Sequence, residues 1–284
     1  MSGRLPAWFK QELPEPQIMA TMKELLGELN LHTICQSALC PNIASCFYRK
    51  TATFLILGDV CTRNCTFCAV RSGFPSPVDG EEPRHLLEAV NRLGLDYIII
   101  TSVTRDDLPD GGASQFARTI NLLHKKGIIV EVLIPDFLGS SRALETIVAA
   151  CPQVISHNVE TVPRLYPKVR QGADYDRSLK LLFTVKQMAP KITTKSGLML
   201  GLGETRDEII EVMNNLRKAD CDLLTIGQYL QPSPEHHPLV RFVEPEEFSE
   251  LKEIGRGMGF ASIASAPLVR SSFKAAELYT EATA

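Results

Sequence analysis

From Thr53 onward the chain alternates short apolar runs with amphipathic stretches, and this alternation constrains the fold more than any other feature. The runs at residues 54–57, 97–101, 128–134, 154–157, 193–199 and 223–226 read as strands. They are continuous rather than alternating, as expected for strands covered on both faces. Helices are expected over 83–94, 113–126, 140–150, 174–189, 205–219 and 245–258. Their apolar residues recur at spacings of three and four, as in Ile209, Val212, Met213 and Leu216. Six strand–helix units in succession imply a parallel sheet with right-handed crossovers. Eight units would close a full barrel. The expected architecture is α/β: a partial (βα)6 TIM-type barrel, open on one side. A doubly wound open sheet is the alternative.

The barrel accounts for residues 51–259. Residues 1–50 differ: a Pro-punctuated arm carries the lone Trp8, expected to anchor it, and a short amphipathic helix runs around 20–29. Three cysteines follow. This segment reads as an extension wrapped onto the barrel. Residues 260–284 hold a short strand, a turn and a final helix, a tail able to fold back over the open barrel.

Net charge is −3, from 30 Lys and Arg against 33 Asp and Glu. So even a balance gives no global attraction for nucleic acid or an acidic membrane. The apolar runs are far shorter than a bilayer span. The first residues carry charges and prolines where a signal peptide needs an apolar stretch. The expected location is the cytoplasm, unless a targeting segment precedes this chain. Cytosolic thiols are kept reduced, so clustered cysteines there point to metal or catalysis rather than disulfides.

Six of the eight cysteines form two triplets. Cys61-Thr-Arg-Asn-Cys65-Thr-Phe-Cys68 directly follows the first strand of the barrel, where a parallel barrel places its active site. A loop of this size can hold one iron–sulfur cubane by three thiolates and leave the fourth iron open. Zinc prefers four ligands in paired spacings and fits this triplet poorly. The second triplet is Cys35-Gln-Ser-Ala-Leu-Cys40-Pro-Asn-Ile-Ala-Ser-Cys46. Cys151 and Cys221 stand apart and read as buried and inert.

The C-x3-C-x2-C spacing with Phe67 before the last cysteine resembles the radical S-adenosylmethionine superfamily. With C-x4-C-x5-C upstream, the chain resembles the lipoyl synthase family. The likeness runs through Thr101-Ser-Val-Thr-Arg-Asp-Asp-Leu-Pro-Asp-Gly-Gly112, His157-Asn-Val-Glu-Thr161, Lys195-Ser-Gly-Leu-Met-Leu-Gly-Leu-Gly-Glu204 and Gly227-Gln-Tyr-Leu-Gln-Pro-Ser233. Arg270-Ser-Ser-Phe273 matches a family element with Phe273 in place of tyrosine.

This resemblance implies two [4Fe–4S] clusters and S-adenosylmethionine. Cys61, Cys65 and Cys68 would hold the cluster that cleaves S-adenosylmethionine to methionine and a 5′-deoxyadenosyl radical. Cys35, Cys40, Cys46 and either Ser271 or Ser272, with Ser272 favoured, would hold an auxiliary cluster that supplies sulfur. By themselves the two serines read as caps of the last helix.

Polar groups at strand ends should meet S-adenosylmethionine: Asn158, Glu160, Lys195, Glu204 and Gln228. Each also reads as a loop residue or cap, Glu204 above all, since acids favour a helix's first turn. Arg105, Asp106 and Asp107 read as turn chemistry, an ion-pair network or a substrate contact. His236 and His237 read as loop residues.

The implied activity is insertion of two sulfur atoms at C6 and C8 of a protein-bound octanoyl-lysine. The implied partners are octanoylated lipoyl carrier domains, of a 2-oxoacid dehydrogenase acyltransferase subunit or the glycine cleavage H protein. A ferredoxin or flavodoxin would supply electrons to a monomeric enzyme. The rivals are a biotin-synthase-like sulfur inserter and a non-catalytic iron–sulfur or zinc module.

Overall fold

The computed structural model describes residues 5–10, 16–49 and 51–284. The arm's residues 1–4 and 11–15 lie outside the described residues. In chain order the strands are β1 (His32–Thr33), β2 (Thr53–Ile56), β3 (Val60–Cys61), β4 (Arg71–Ser72), β5 (Tyr97–Ser102), β6 (Ile129–Leu133), β7 (Val154–Ser156), β8 (Thr193–Leu200), β9 (Leu223–Gln228) and β10 (Ser262–Ser265). The pair β3 and β4 forms its own short ladder. The other eight form one sheet in the order β1-β2-β5-β6-β7-β8-β9-β10. Only β1 runs antiparallel to its neighbour.

From β2 to β10 the spatial order follows the chain order. A doubly wound sheet reverses its order at a switch point. No reversal occurs here, so the winding is that of a barrel. The edge strands β1 and β10 are not paired with each other, and the barrel stays open. All six expected strands and all six expected helices are present, with ends shifted by at most two residues. β10 adds a seventh parallel strand, registered with Ser262 against Leu223. Thus the tail contributes one strand to the sheet and the N-terminal extension another.

Strand burial follows the apolar runs: every residue of β2 and of β9 is buried. The helix Arg206–Lys218 shows how the outer layer is specified. Thr205 and Glu208 form a reciprocal capping box, and Ile209, Val212, Met213 and Leu216 are buried. Each such aliphatic side chain stabilises the fold by roughly 1.5–3 kcal/mol.

In the extension, the helix Pro16–Glu28 buries Met22 and Leu26. The short helices Ile34–Ser37 and Ile43–Tyr48 carry Cys35 and Cys46. In the arm Phe9 is buried, its ring 5.6 Å from that of Phe242, and Trp8 beside it is half-buried.

Candidate active site

The C-terminal ends of the strands surround a cavity of about 480 Å³. Its wall includes the Cys61 loop after β2, residues 101–104 at the end of β5, residues 133–135 after β6 and Asn158 and Glu160 after β7. Gly197 to Met199 of β8, residues 227–232 and residues 269–272 complete it. Cys61, Cys65 and Cys68 face this cavity together with Cys35, Cys40, Ser271 and Ser272. Cys46 is half-buried and does not line it.

Several contacts shape the Cys61 loop. β3 pairs Cys61 with Ser72 and closes the loop at its base. The Cys61 sulfur accepts from the backbone N–H of Arg63 at 3.4 Å and of Thr104 at 3.3 Å. Two such donors suit a thiolate. Arg63 reaches out of the loop to Asp106 and Asp136. Thr66 Oγ1 donates to the Lys168 carbonyl at 2.7 Å, and His237 N–H donates to the Thr66 carbonyl at 2.8 Å. The His236 ring lies 3.2 Å from the Cys68 carbonyl oxygen and 2.8 Å from Ser233 Oγ. Both histidines therefore serve backbone anchoring, as loop residues.

All eight cysteines are free. Burial pushes the Cys65 thiol up to about 11 and the Cys68 thiol up to about 12. Burial, with the charges of Cys35 and Cys40, pushes Cys46 up to about 11. Buried thiols of this kind ionise when a cation binds them, since a coordinated thiol is deprotonated outright. Among the described residues no three His, Cys, Asp or Glu side chains are grouped to hold a single metal ion. A cubane takes one thiolate per iron, and Cys61, Cys65 and Cys68 present three thiols from one loop to the cavity. The donor set fits a cluster.

Asn158 and Glu160 fit a polar ligand. Asn158 Nδ2 donates to Glu160 Oε1 at 3.0 Å, while Asn158 Oδ1 is buried without a partner. A Cβ on Gly197 would stand 2.7 Å from that oxygen, so glycine keeps the approach open. Glu160 has φ of 66°, a strained conformation for its type. Its backbone is held by bonds with Gly197 and Met199 of β8. Burial pushes its carboxyl up, opposed by the charge of Arg170.

Three other expected contacts are placed differently. Lys195 is fully buried outside the cavity wall, with Nζ 2.8 Å from Glu131 Oε1. Tyr97 donates to the same carboxylate at 2.6 Å. Glu204 also lies outside the wall and accepts from the backbone N–H of Gly201 and Leu202, closing a turn. Gln228 borders the cavity, but its amide donates to the carbonyls of Leu200, Tyr229 and Arg241 and accepts from Val243 N–H. These side chains shape the scaffold.

Arg105 pairs with Asp107, and Asp106 with Arg63, so the charge cluster is an ion-pair network. Cys221 is buried as expected, whereas Cys151 is exposed where the helix Ser141–Ala149 ends. The last helix, Ala275–Thr283, starts after Lys274 and has no side-chain cap, so neither serine caps it. Sequence reasoning missed Arg170, which lines the cavity and donates to Tyr166 Oη and Ser178 Oγ. No local signal separates it from a surface arginine.

Fold and site together define a radical S-adenosylmethionine protein: residues 55–216 match the model of the Radical SAM superfamily. The solved structure of methylornithine synthase shares the fold, with a TM-score of 0.54 at 15% identity over 88% of this chain and 83% of that one. Within the superfamily the likeness is much closer. The chain is 56% identical to lipoyl synthase of Caldanaerobacter subterraneus subsp. tengcongensis, over 97% of each. It is also 56% identical to lipoyl synthase of Aquifex aeolicus, over 90% of this chain and 94% of the relative. The chain belongs to the lipoyl synthase family.

Proposed function

We infer that the protein inserts two sulfur atoms, at C6 and C8, into an octanoyl chain carried on a lysine of a lipoyl carrier domain. The observation that carries this reading is the meeting of Cys61, Cys65 and Cys68 with Cys35 and Cys40 of the second triplet, from separate parts of the chain, at one cavity. When bound, the first cluster with S-adenosylmethionine supplies a radical able to abstract hydrogen from an unactivated carbon, and the second supplies sulfur.

Cys61, Cys65 and Cys68 would hold the first cluster. Cys35, Cys40 and Cys46 would hold the second, with Ser272 or Ser271 as its oxygen ligand. Asn158 Oδ1 and Glu160 offer acceptors for the amine or ribose of S-adenosylmethionine. The two backbone bonds to β8 keep Glu160 aimed inward. Leu55, Val103, Leu133, Leu198 and Met199 give the cavity an apolar lining that suits an acyl chain and keeps water away. The fold is thus divided between extension, barrel and tail, each contributing ligands. The carrier is a 2-oxoacid dehydrogenase acyltransferase subunit or the glycine cleavage H protein, and electrons come from a ferredoxin or flavodoxin. We place the reaction in the cytoplasm, where free thiols persist. Among the described residues no helix is long and apolar enough to cross a membrane.

The test is anaerobic reconstitution, with iron and sulfide counted in the wild type and in a Cys61, Cys65, Cys68→Ala variant. Release of 5′-deoxyadenosine is followed with an octanoyl-lysine peptide. The expected result is about eight irons against about four, with release only in the wild type. Zinc in place of iron, or no cleavage of S-adenosylmethionine under reduction, would overturn the reading.

A further inference from the structure

Arg270 follows β10 and lines the cavity. A guanidinium has five N–H donors. Among the described residues it makes one hydrogen bond, from Nη1 to the Val269 carbonyl at 2.7 Å. Among the described residues it has no carboxylate partner at ion-pair distance. Arg63 is held by Asp106 and Asp136, and Arg170, itself without a carboxylate at ion-pair distance among the described residues, donates to two hydroxyls, those of Tyr166 and Ser178. Arg270 shares the cavity wall with Cys35 and Cys40 of the second triplet and with Glu160.

Its placement is enforced by the backbone. Any Cβ on Gly227 would collide with the Val269 carbonyl oxygen and come within 3.3 Å of Arg270 Nη1. Glycine alone lets this segment pass so close to β9. Asn42 Nδ2 donates to the Leu268 carbonyl at 2.7 Å, tying the same segment to the Cys40 region. Polar groups kept inside a protein are normally hydrogen-bonded, and the exceptions need a reason. A cubane held by three thiolates and a serine oxygen is anionic and would supply the missing partner.

We propose that Arg270 is a positioning residue whose guanidinium provides the countercharge of the auxiliary cluster beside Cys40, raising that cluster's reduction potential. This rests on the reading of Cys35, Cys40 and Cys46 as cluster ligands. A fixed positive charge favours the reduced cluster, and net charge and hydrogen bonds to sulfur set such potentials. Lysine keeps the charge but loses the planar fork.

The experiment uses the full chain in the Cys61, Cys65, Cys68→Ala background, which leaves only the auxiliary cluster. Arg270→Lys and Arg270→Gln are reconstituted anaerobically beside this parent. Iron is counted, and the midpoint potential is followed by electron paramagnetic resonance. The expected result is about four irons in each protein, a more negative potential in Arg270→Gln and a value near the parent's in Arg270→Lys. Loss of iron in Arg270→Gln with retention in Arg270→Lys also supports the proposal. An unshifted potential in Arg270→Gln at full iron content overturns it, as does equal loss of iron in both variants. A parent that takes up no iron overturns the cluster reading itself, and the inference with it.

Discussion

Arg63 Nη2 lies 2.6 Å from Asp136 Oδ1, and the Asp136 side chain is fully buried. One residue belongs to the Cys61 loop and the other follows β6, so this pair fastens the loop to the barrel. Arg177 reaches the other carboxylate oxygen at 3.1 Å. Burial pushes the Asp136 carboxyl up, but Arg63 more than reverses this and holds it at about 2. Its contribution to stability is therefore present above pH 4 or so and is lost as pH falls through about 2. Asp136→Asn keeps the shape and removes the charge. Breaking such a pair should cost roughly 3 kcal/mol at pH 7. Chemical denaturation of the apo protein checks this. The gap between wild type and variant should close near the acid limit, and a gap independent of pH would refute the assignment.

His157 gives a second, separate pH window. Burial pushes its imidazole down to about 3, with the Arg170 charge adding to the effect. Its ring lies 2.8 Å from the Ile134 carbonyl and 3.0 Å from Ser178 Oγ. The folded state keeps it neutral, while the unfolded chain protonates near pH 6.5. Stability is then full above pH 6.5 and declines as pH falls towards 3. Between pH 7 and pH 5 the loss should be about 2 kcal/mol. His157→Gln should flatten that slope in thermal melts. Equal slopes in both proteins would show that another group titrates.

Gly227→Ala should separate the two clusters. The added methyl would collide with the Val269 carbonyl oxygen and push residues 269–272 off β9. The serines would leave the cavity while the Cys61 loop, held by its own contacts, would not. Reconstituted protein is expected to hold about four irons, not eight, and still to cleave S-adenosylmethionine slowly. A full iron count would show that the segment can shift without losing its ligand.

Leu39 closes the helix Ile34–Ser37 in the left-handed region, with φ of 51°. Leu39 N–H donates to the Gln36 carbonyl and Cys40 N–H to the Cys35 carbonyl. This is a helix end that normally takes glycine. Leucine there costs roughly 1–2 kcal/mol, and its side chain is 67% exposed, so little packing offsets the strain. Leu39→Gly should raise the unfolding free energy of the apo protein, measured by chemical denaturation, by roughly 0.5–1 kcal/mol after the greater entropy of unfolded glycine is counted. A loss of stability would mean that Leu39 packs usefully at the cavity mouth.

Much of the architecture was readable because it is local. Ile209, Val212, Met213 and Leu216 mark one helix face by spacing alone, and the apolar runs mark the buried strands. The Cys61, Cys65 and Cys68 loop was visible for the same reason: its three cysteines lie within one short stretch of chain after β2. The roles of Lys195, Glu204 and Gln228 were not readable. Lys195 meets Glu131 across 64 positions, and Gln228 meets Val243 across 15. Strand-end position alone could not tell a ligand contact from a scaffold bond.

The sequence by itself determined the succession of strand–helix units, the two cysteine triplets and the chemistry they suit. Tertiary structure alone decided that the sheet winds as a barrel, that β10 lies beside β9, that residues 269–272 reach the cavity and that Arg270 has no carboxylate at ion-pair distance among the described residues. Hydrophobic periodicity and ligand spacing are written into neighbouring residues. Charge pairing and close backbone approach exist only once distant segments have been brought together.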